Sequence, residues 1–224
     1  MNKDVSIFWF RRDLRLEDNV GLFHALSENE NVLPIFIFDK NILDQLPKDD
    51  ARVSFIHERL DTIDMELQKF GKNLAIFYGD PITIIEQLIQ ENEIKAFYTN
   101  HDYEPYARKR DKEINQLLKE HGIDFKTSKD HVIFEKSDVV KDDGLPYVVY
   151  TPYSKKWKEN FKKIQLIHYS SEDKLENIIE HSYPFLSLSD IGFKKSAINI
   201  SPFDVSEKLI QNYEATRNFP ALNK

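Results

Sequence analysis

Two hydrophobic rhythms alternate along the first 135 residues. VSIFWF (5–10) and VLPIFIF (32–38) are continuous runs of apolar, β-branched and aromatic residues, the pattern of strands covered on both faces. NLAIFY (73–78) and IKAFYT (94–99) repeat it, and IDFKT (123–127) is a weaker fifth run. Between them the period changes to that of a helix. From Ala51, the apolar positions Val53, Ile56, Leu60, Ile63, Leu67 and Phe70 step by three or four, and Gly71 follows as a C-cap. Asp18–Asn19 is placed to cap a helix after the first strand. Pro81 suits the first turn of the helix after the third, and Pro105 opens a helical stretch that Gly122 closes. Strand–helix alternation of this kind predicts an α/β fold: a Rossmann-like, doubly wound, five-stranded parallel sheet with strand order like 3-2-1-4-5.

After about residue 135 the rhythm stops. GLPYVVYTPYSKKWKENFKK mixes turn formers, aromatics and lysines, and a polar stretch then runs to about Ser201. So long an irregular segment is unusual inside one domain. The expected division is therefore an α/β domain over 1–135, an irregular or helical connector over 136–200, and a helix from about Phe203 to Thr216 opening a further unit over 201–224. The apolar-rich ending RNFPALNK gives the expectation of a chain cut short within that unit.

Composition narrows the chemistry. The 224 residues carry a net charge of −7, a poor overall match for a phosphate backbone, although a local basic patch is still possible. TPYSKKWKENFKK, with its lysines among aromatics, is better read as an amphipathic connector whose Tyr153, Trp157 and Phe161 pack on another domain. There is no cysteine, which excludes disulfides, thiolate metal sites and a cysteine nucleophile. No stretch has the length of a membrane span or the form of a signal peptide, so a soluble cytoplasmic protein is expected.

No G-x-G-x-x-G, P-loop or G-x-S-x-G is present, and the seven histidines lack metal-ligand spacing. No catalytic constellation and no metal site are expected, and the chain reads as a binder. Ligands in doubly wound sheets lie beyond the carboxyl ends of the strands. Three polar clusters fall there: Arg11–Arg12–Asp13, Asp39–Lys40, and Asn100–His101–Asp102 with Glu104.

Longer motifs add a resemblance. FWFRRDLRLEDNVGL (8–22) strongly resembles the opening of the DNA photolyase and cryptochrome family, and the likeness continues in order through PIFIFD, DARVSFIHERL, NHDYEPYARKRD, GLPYVVYTPYSKKW and YEATRNFPAL. The resemblance implies an N-terminal domain that binds a light-harvesting antenna pigment, truncated before the helical FAD-binding domain. In such proteins the pigment passes excitation to reduced FAD, which splits a cyclobutane pyrimidine dimer flipped out of DNA. FAD and damaged DNA would thus be met through the missing half, leaving this fragment inactive, and a monomer is expected.

For the antenna, the resemblance assigns Arg12, Asp39, Arg52, Asp102 and Glu104 to the pocket of deazaflavin-binding members. Folate-binding members carry a glutamate where Ala107 stands, so deazaflavin or FMN is expected over folate. Tyr213 matches a tyrosine that contacts FAD. Arg12 departs from the asparagine of DASH-type cryptochromes and tilts the resemblance towards photolyase. The alternatives are the same domain of a cryptochrome light receptor and a stand-alone nucleotide- or flavin-binding module. Of the arginines after the first strand, Arg12 is the one expected to touch a ligand, while Arg11, Arg15, Glu17 and Asp18 are expected to brace the loop through mutual ion pairs or to meet the connector.

Overall fold

The structure, a computed structural model, describes residues 4–198 and 206–219. Five strands form one parallel sheet in the order β3-β2-β1-β4-β5: β1 (Val5–Phe10), β2 (Val32–Asp39), β3 (Ala75–Gly79), β4 (Ile94–Asn100) and β5 (Asp124–Ser128). This is the expected topology. Every residue of β1 and β2 is buried, which explains why both read as unbroken apolar runs rather than alternating ones. Within β1 the pleat sends Phe8 and Phe10 to one face and Val5, Ile7 and Trp9 to the other.

The face bearing Phe8 and Phe10 is covered by α1 (Val20–Glu28), through Leu22, Ala25 and Leu26, and by α3 (Ala51–Gln68), through Val53, Leu60, Ile63 and Leu67. The opposite face is covered by α4 (Pro81–Glu91), through Ile84, Ile85 and Leu88, and by α5 (Pro105–Glu120), through Ile114 and Leu118. A four-residue helix, α2 (Lys40–Leu43), precedes α3 and is too short to leave a periodic signal.

The helices start where side-chain oxygens cap them. Asn19 accepts from the Leu22 amide, Asp39 from Asn41, Asp50 from Arg52, and Asp80 from Ile82 and Thr83 ahead of Pro81. The chain leaves α3 and α5 at Gly71 (φ 68°) and Gly122 (φ 69°), in the left-handed region that glycine adopts without strain. One expectation fails at this end of α3: Phe70 lies past Gln68 and is 53% exposed, so it does not extend the apolar stripe.

The segment expected to be a connector is partly regular. It contains α6 (Tyr150–Phe161), a helix with no buried residue, on which Trp157 stacks over Phe161 and meets Phe134 edge-on. Residues 169–196 then return to the α/β domain. A 3₁₀ turn (Ser171–Asn177) packs on α1, Ile178 forms a parallel bridge with Val32, and Leu175, Ile178, Ile191 and Phe193 are buried in the core. Hydrophobic closure of the domain thus draws on residues well beyond 135. These residues are spaced without a helix or strand period, so the pattern did not show them. Of the helix expected over Phe203–Thr216, residues 203–205 lie outside the described residues, and the remainder is two short turns, α7 (Glu207–Gln211) and α8 (Tyr213–Thr216), separated at Asn212.

Candidate functional site

The loop after β1 is fixed by a buried polar knot. The Asn100 carboxamide, at the end of β4, donates to Asp13 and to Asn19 Oδ1 (2.8 Å), and accepts from the Gly21 amide (2.9 Å). Asp13, Asn19 and Asn100 are each at most 2% exposed. Buried donors and acceptors satisfied in this way hold one loop geometry, because any other would leave some of them unpaired.

The charges that follow β1 do not pair with one another. The Arg11 side chain is buried and reaches α5, where Nη1 lies 2.7 and 2.8 Å from the two oxygens of Asp111; its Nη2 donates to the Asn100 carbonyl. Arg15 clasps Asp130 at 2.7 and 2.9 Å. Asp18, held at φ 49°, accepts from the Tyr169 amide of the returning segment, and its own amide donates to Glu172. The expectation of mutual ion pairs is corrected: the partners lie on α5, on the loop after β5 and on the return segment. The alternative expectation, contact with the connector, holds for Asp18.

Arg12 is left at the rim, its side chain 58% exposed, with Nε 3.2 Å from Asp102 Oδ2 and Nη2 3.9 Å from Glu104 Oε1. It borders a cavity of about 410 Å3 beyond the carboxyl ends of β1 and β2 and under the start of α5. One wall is apolar, formed by Phe10, Phe36 and Phe38 from the strands with Leu43, Val53 and Ile56 from α2 and α3. The other is polar: Asp39 accepts from the Tyr106 hydroxyl at 2.7 Å and lies 3.4 Å from Arg110 Nη1, while the Arg110 guanidinium stands over the Trp9 ring at 4.7 Å.

The five residues assigned to a pigment pocket all border this cavity, in unequal ways. Asp39 is buried inside it, and its Oδ1 also caps α2 at the Asn41 amide (3.0 Å). Asp102, Arg12 and Glu104 form the rim. Arg52 also lies at the edge, but its 72% exposed side chain turns back to Asp50 at 2.7 Å. Ala107 is buried in the lining.

Electrostatics follow the geometry. Burial opposes the Asp102 charge, but the Glu104 amide and the nearby guanidinium groups of Arg12, Arg11 and Arg110 outweigh it and hold the carboxyl below its ordinary range. Burial together with the hydrogen bond to Asp39 pushes the Tyr106 phenol up to about 12. Tyr106 is therefore a fixed donor to Asp39 at any physiological pH.

Sequence reasoning missed Tyr106 and Arg110. They are four apart on α5 and so share a face, which was the available signal. It also missed a grouping of Glu17, His168 and Glu172, whose ligand atoms lie within 4.8 Å of one another. The histidine there already pairs with Glu172 (3.0 Å) and Asp18 (3.5 Å). His101 is no ligand candidate in this geometry, as it is held between Glu135 and Thr127. Tyr213 stands 60% exposed on α8. No helix among the described residues is long and apolar enough to cross a membrane.

Comparison with known proteins bears on this arrangement. The sequence profile of the family described as DNA photolyase matches residues 6–173. The deoxyribodipyrimidine photo-lyase of Synechococcus sp. is 30% identical over 96% of this chain, which spans 48% of that protein. An uncharacterised 31.6 kDa Synechococcus protein is also 30% identical, over 98% of this chain and 81% of its own length. Among solved structures, the archaeal photolyase of Sulfolobus tokodaii, which contains two FAD molecules, is 30% identical with a TM-score of 0.60, covering 79% of this chain and 42% of that one. The class III photolyase of Agrobacterium tumefaciens gives 25% identity and a TM-score of 0.65, covering 88% of this chain and 37% of that one. The chain thus spans between 37% and 48% of the length of the named photolyases, and its sheet corresponds to their N-terminal domain. By profile, relatives and fold together, this chain belongs to the DNA photolyase and cryptochrome family.

Proposed function

We propose that the cavity between β1, β2 and α5 binds a light-harvesting pigment of the deazaflavin or FMN type, and that the chain is the antenna half of a deoxyribodipyrimidine photolyase. One observation carries this reading: an aromatic–aliphatic wall faces the Asp39–Tyr106–Arg110 wall across a slot at the carboxyl ends of the strands. A planar heterocycle would bury its ring on Phe10, Phe36 and Phe38. Asp39, with lone pairs left after Asn41 and Tyr106, would accept from a ring N–H. Arg12, exposed at the rim, is placed for an anionic tail. Arg52, whose side chain is exposed, would serve the same tail by exchanging its Asp50 partner for the ligand anion. The bound pigment supplies absorption of near-ultraviolet or blue light and excitation transfer to FAD.

The chain's own residues fix where the pigment sits, keep water from its ring and, through Asp39, bind its polar edge. Ala107 leaves a methyl where folate-binding photolyases place a glutamate, so folate lacks its partner. Residues 1–135 with the returning segment form the antenna domain, and the stretch from about residue 201, including Tyr213, would enter an FAD-binding domain that meets damaged DNA. Light-dependent repair of cyclobutane dimers by the whole protein tests the enzyme; bound FAD without repair assigns the chain to a cryptochrome instead.

A second reading is a free-standing flavin-binding module. It is favoured by the 31.6 kDa relative, 81% of which this chain covers. A reading frame that ends without an FAD-binding region supports that second reading and refutes the first.

A further inference from the structure

A second cavity, of about 690 Å3, opens on the far side of α5 from the pigment slot. Its floor is β5, where Phe125 and Thr127, two residues apart, face the same way. One wall is an α5 stripe, Arg108, Lys112 and Asn115, spaced by four and three. The other is the segment 132–137, bringing Val132, Phe134 and Lys136. The floor is held from below by Phe97, 6.0 Å from Phe125, and the wall from behind by Trp157, 5.4 Å from Phe134. At the carboxyl end of β4, Glu135 is fixed by hydrogen bonds from His101 and Tyr103, and His101 is in turn held by Thr127.

Charge separates this groove from an ordinary polar surface. Its acids are all engaged: Asp111 with Arg11 and Arg110, Asp102 with Arg12, and Glu135 with His101 and Tyr103. Its cations are not. Among the described residues, Arg108, Lys112 and Lys136 have no carboxylate within ion-pairing distance. In a chain of net charge −7, uncompensated positive charge is thus gathered around an apolar floor at the ligand-binding end of the sheet.

We propose that this groove is a second small-molecule site, for an aromatic phosphate of the nucleotide class. The base lies on Phe125, Val132 and Phe134, and the phosphates are held by Arg108, Lys112 and Lys136. The hydrogen-bonding groups of Thr127, Asn115 and Ser137 at the edges suit a heterocycle and its sugar better than an aliphatic chain. The groove shares Asp102 with the rim of the pigment slot, and α5 separates the rest of the two cavities.

Isothermal titration of the 224-residue chain with ADP, and separately with inorganic phosphate, tests the proposal. The expected result is one saturable ADP site, at least about tenfold tighter than phosphate, because the ring adds apolar burial to the charge interaction. The double variant Arg108→Glu/Lys112→Glu, both residues being exposed, should weaken ADP by about tenfold or more and reduce the salt dependence. Arg52→Ala, at the rim of the other cavity, should leave ADP binding unchanged. No ADP binding at millimolar concentration, phosphate binding as tightly as ADP, an unchanged affinity in the double variant, or a loss in Arg52→Ala would each overturn it. A melting curve of each variant ensures that the comparison is between folded proteins.

Discussion

Adjacent arginines with opposite roles give the sharpest test of the loop after β1. In Arg11→Met the aliphatic stem is kept and the charge removed. Asp111, 17% exposed, is then left with only a 3.4 Å contact to Arg110, and the Asn100 carbonyl loses the Arg11 donor. Breaking a buried pair from one side costs about 3–5 kcal/mol, because the surviving charge stays desolvated. The partial exposure of Asp111 reduces this to about 2–4 kcal/mol. For a chain of this size, at about 2–4 °C per kcal/mol, the melting temperature should fall by roughly 5–15 °C. Arg12→Met removes longer contacts (3.2 and 3.9 Å) from an exposed arginine. Asp102, although its side chain is 10% exposed, keeps the Glu104 amide and the nearby Arg11 and Arg110 charges, so the cost should stay at about 1 kcal/mol. Urea unfolding followed by far-ultraviolet circular dichroism measures both. Adding Asp111→Asn to Arg11→Met should recover part of the loss, since the stranded charge is then gone. Equal losses in the two single variants, or an Arg11→Met protein within about 0.5 kcal/mol of the parent, would refute the division of labour.

Three further outcomes follow from the same geometry. Gly21→Ala places a methyl 2.6 Å from Asn100 Oδ1 and 3.0 Å from the Phe8 ring; because Asn100 is locked by Asp13 and Asn19, the clash cannot relax cheaply, and chemical denaturation should show a loss of about 1–3 kcal/mol. Tyr106→Phe strips Asp39 of its short hydroxyl donor and should cost about 1–2 kcal/mol in the same assay. His181 is held by burial below its ordinary range, with one ring nitrogen facing the Asn73 carbonyl (3.1 Å) and the other its carboxamide nitrogen (3.3 Å), a pairing suited to the neutral ring. Its contribution is therefore present above pH of about 6.5 and lost as pH falls through the depressed folded value. Stability measured from pH 7 to 5 should drop more steeply in the parent than in His181→Gln, and parallel slopes would contradict this.

What the sequence made legible was local. β1 and β2 are apolar except for Ser6 and Asp39 because helices cover both faces, and the caps at Asn19, Asp50 and Asp80 sit where short polar side chains precede apolar steps. β5 read weakly because, as an edge strand, it has no fully buried residue. The core contribution of Leu175, Ile178, Ile191 and Phe193 follows no period and was illegible for that reason. At the site, the strand-end acids and Arg12 were visible as a cluster, but their partners were not: Asp111 lies 100 residues from Arg11 and Asp130 lies 115 from Arg15. In hindsight the pleat distinguishes the two arginines, because Arg11 continues the face of Trp9 towards α5, whereas Arg12 does not. The contribution of α5 to the slot, Tyr106 and Arg110, was written in the i, i+4 spacing after Pro105.

The central claim is that the slot beside Asp39 holds a flavin-like pigment. Equilibrium dialysis of the chain against deazaflavin, FMN and methenyl-folate, read by bound near-ultraviolet and visible absorption, tests it most directly. The account predicts uptake of deazaflavin or FMN at the slot, weakened at least about tenfold by Arg12→Ala and by Asp39→Asn and unchanged by Arg108→Glu/Lys112→Glu. It also predicts no comparable uptake of folate. Preferential folate binding, no flavin or deazaflavin uptake at millimolar ligand, or uptake indifferent to both substitutions would contradict it.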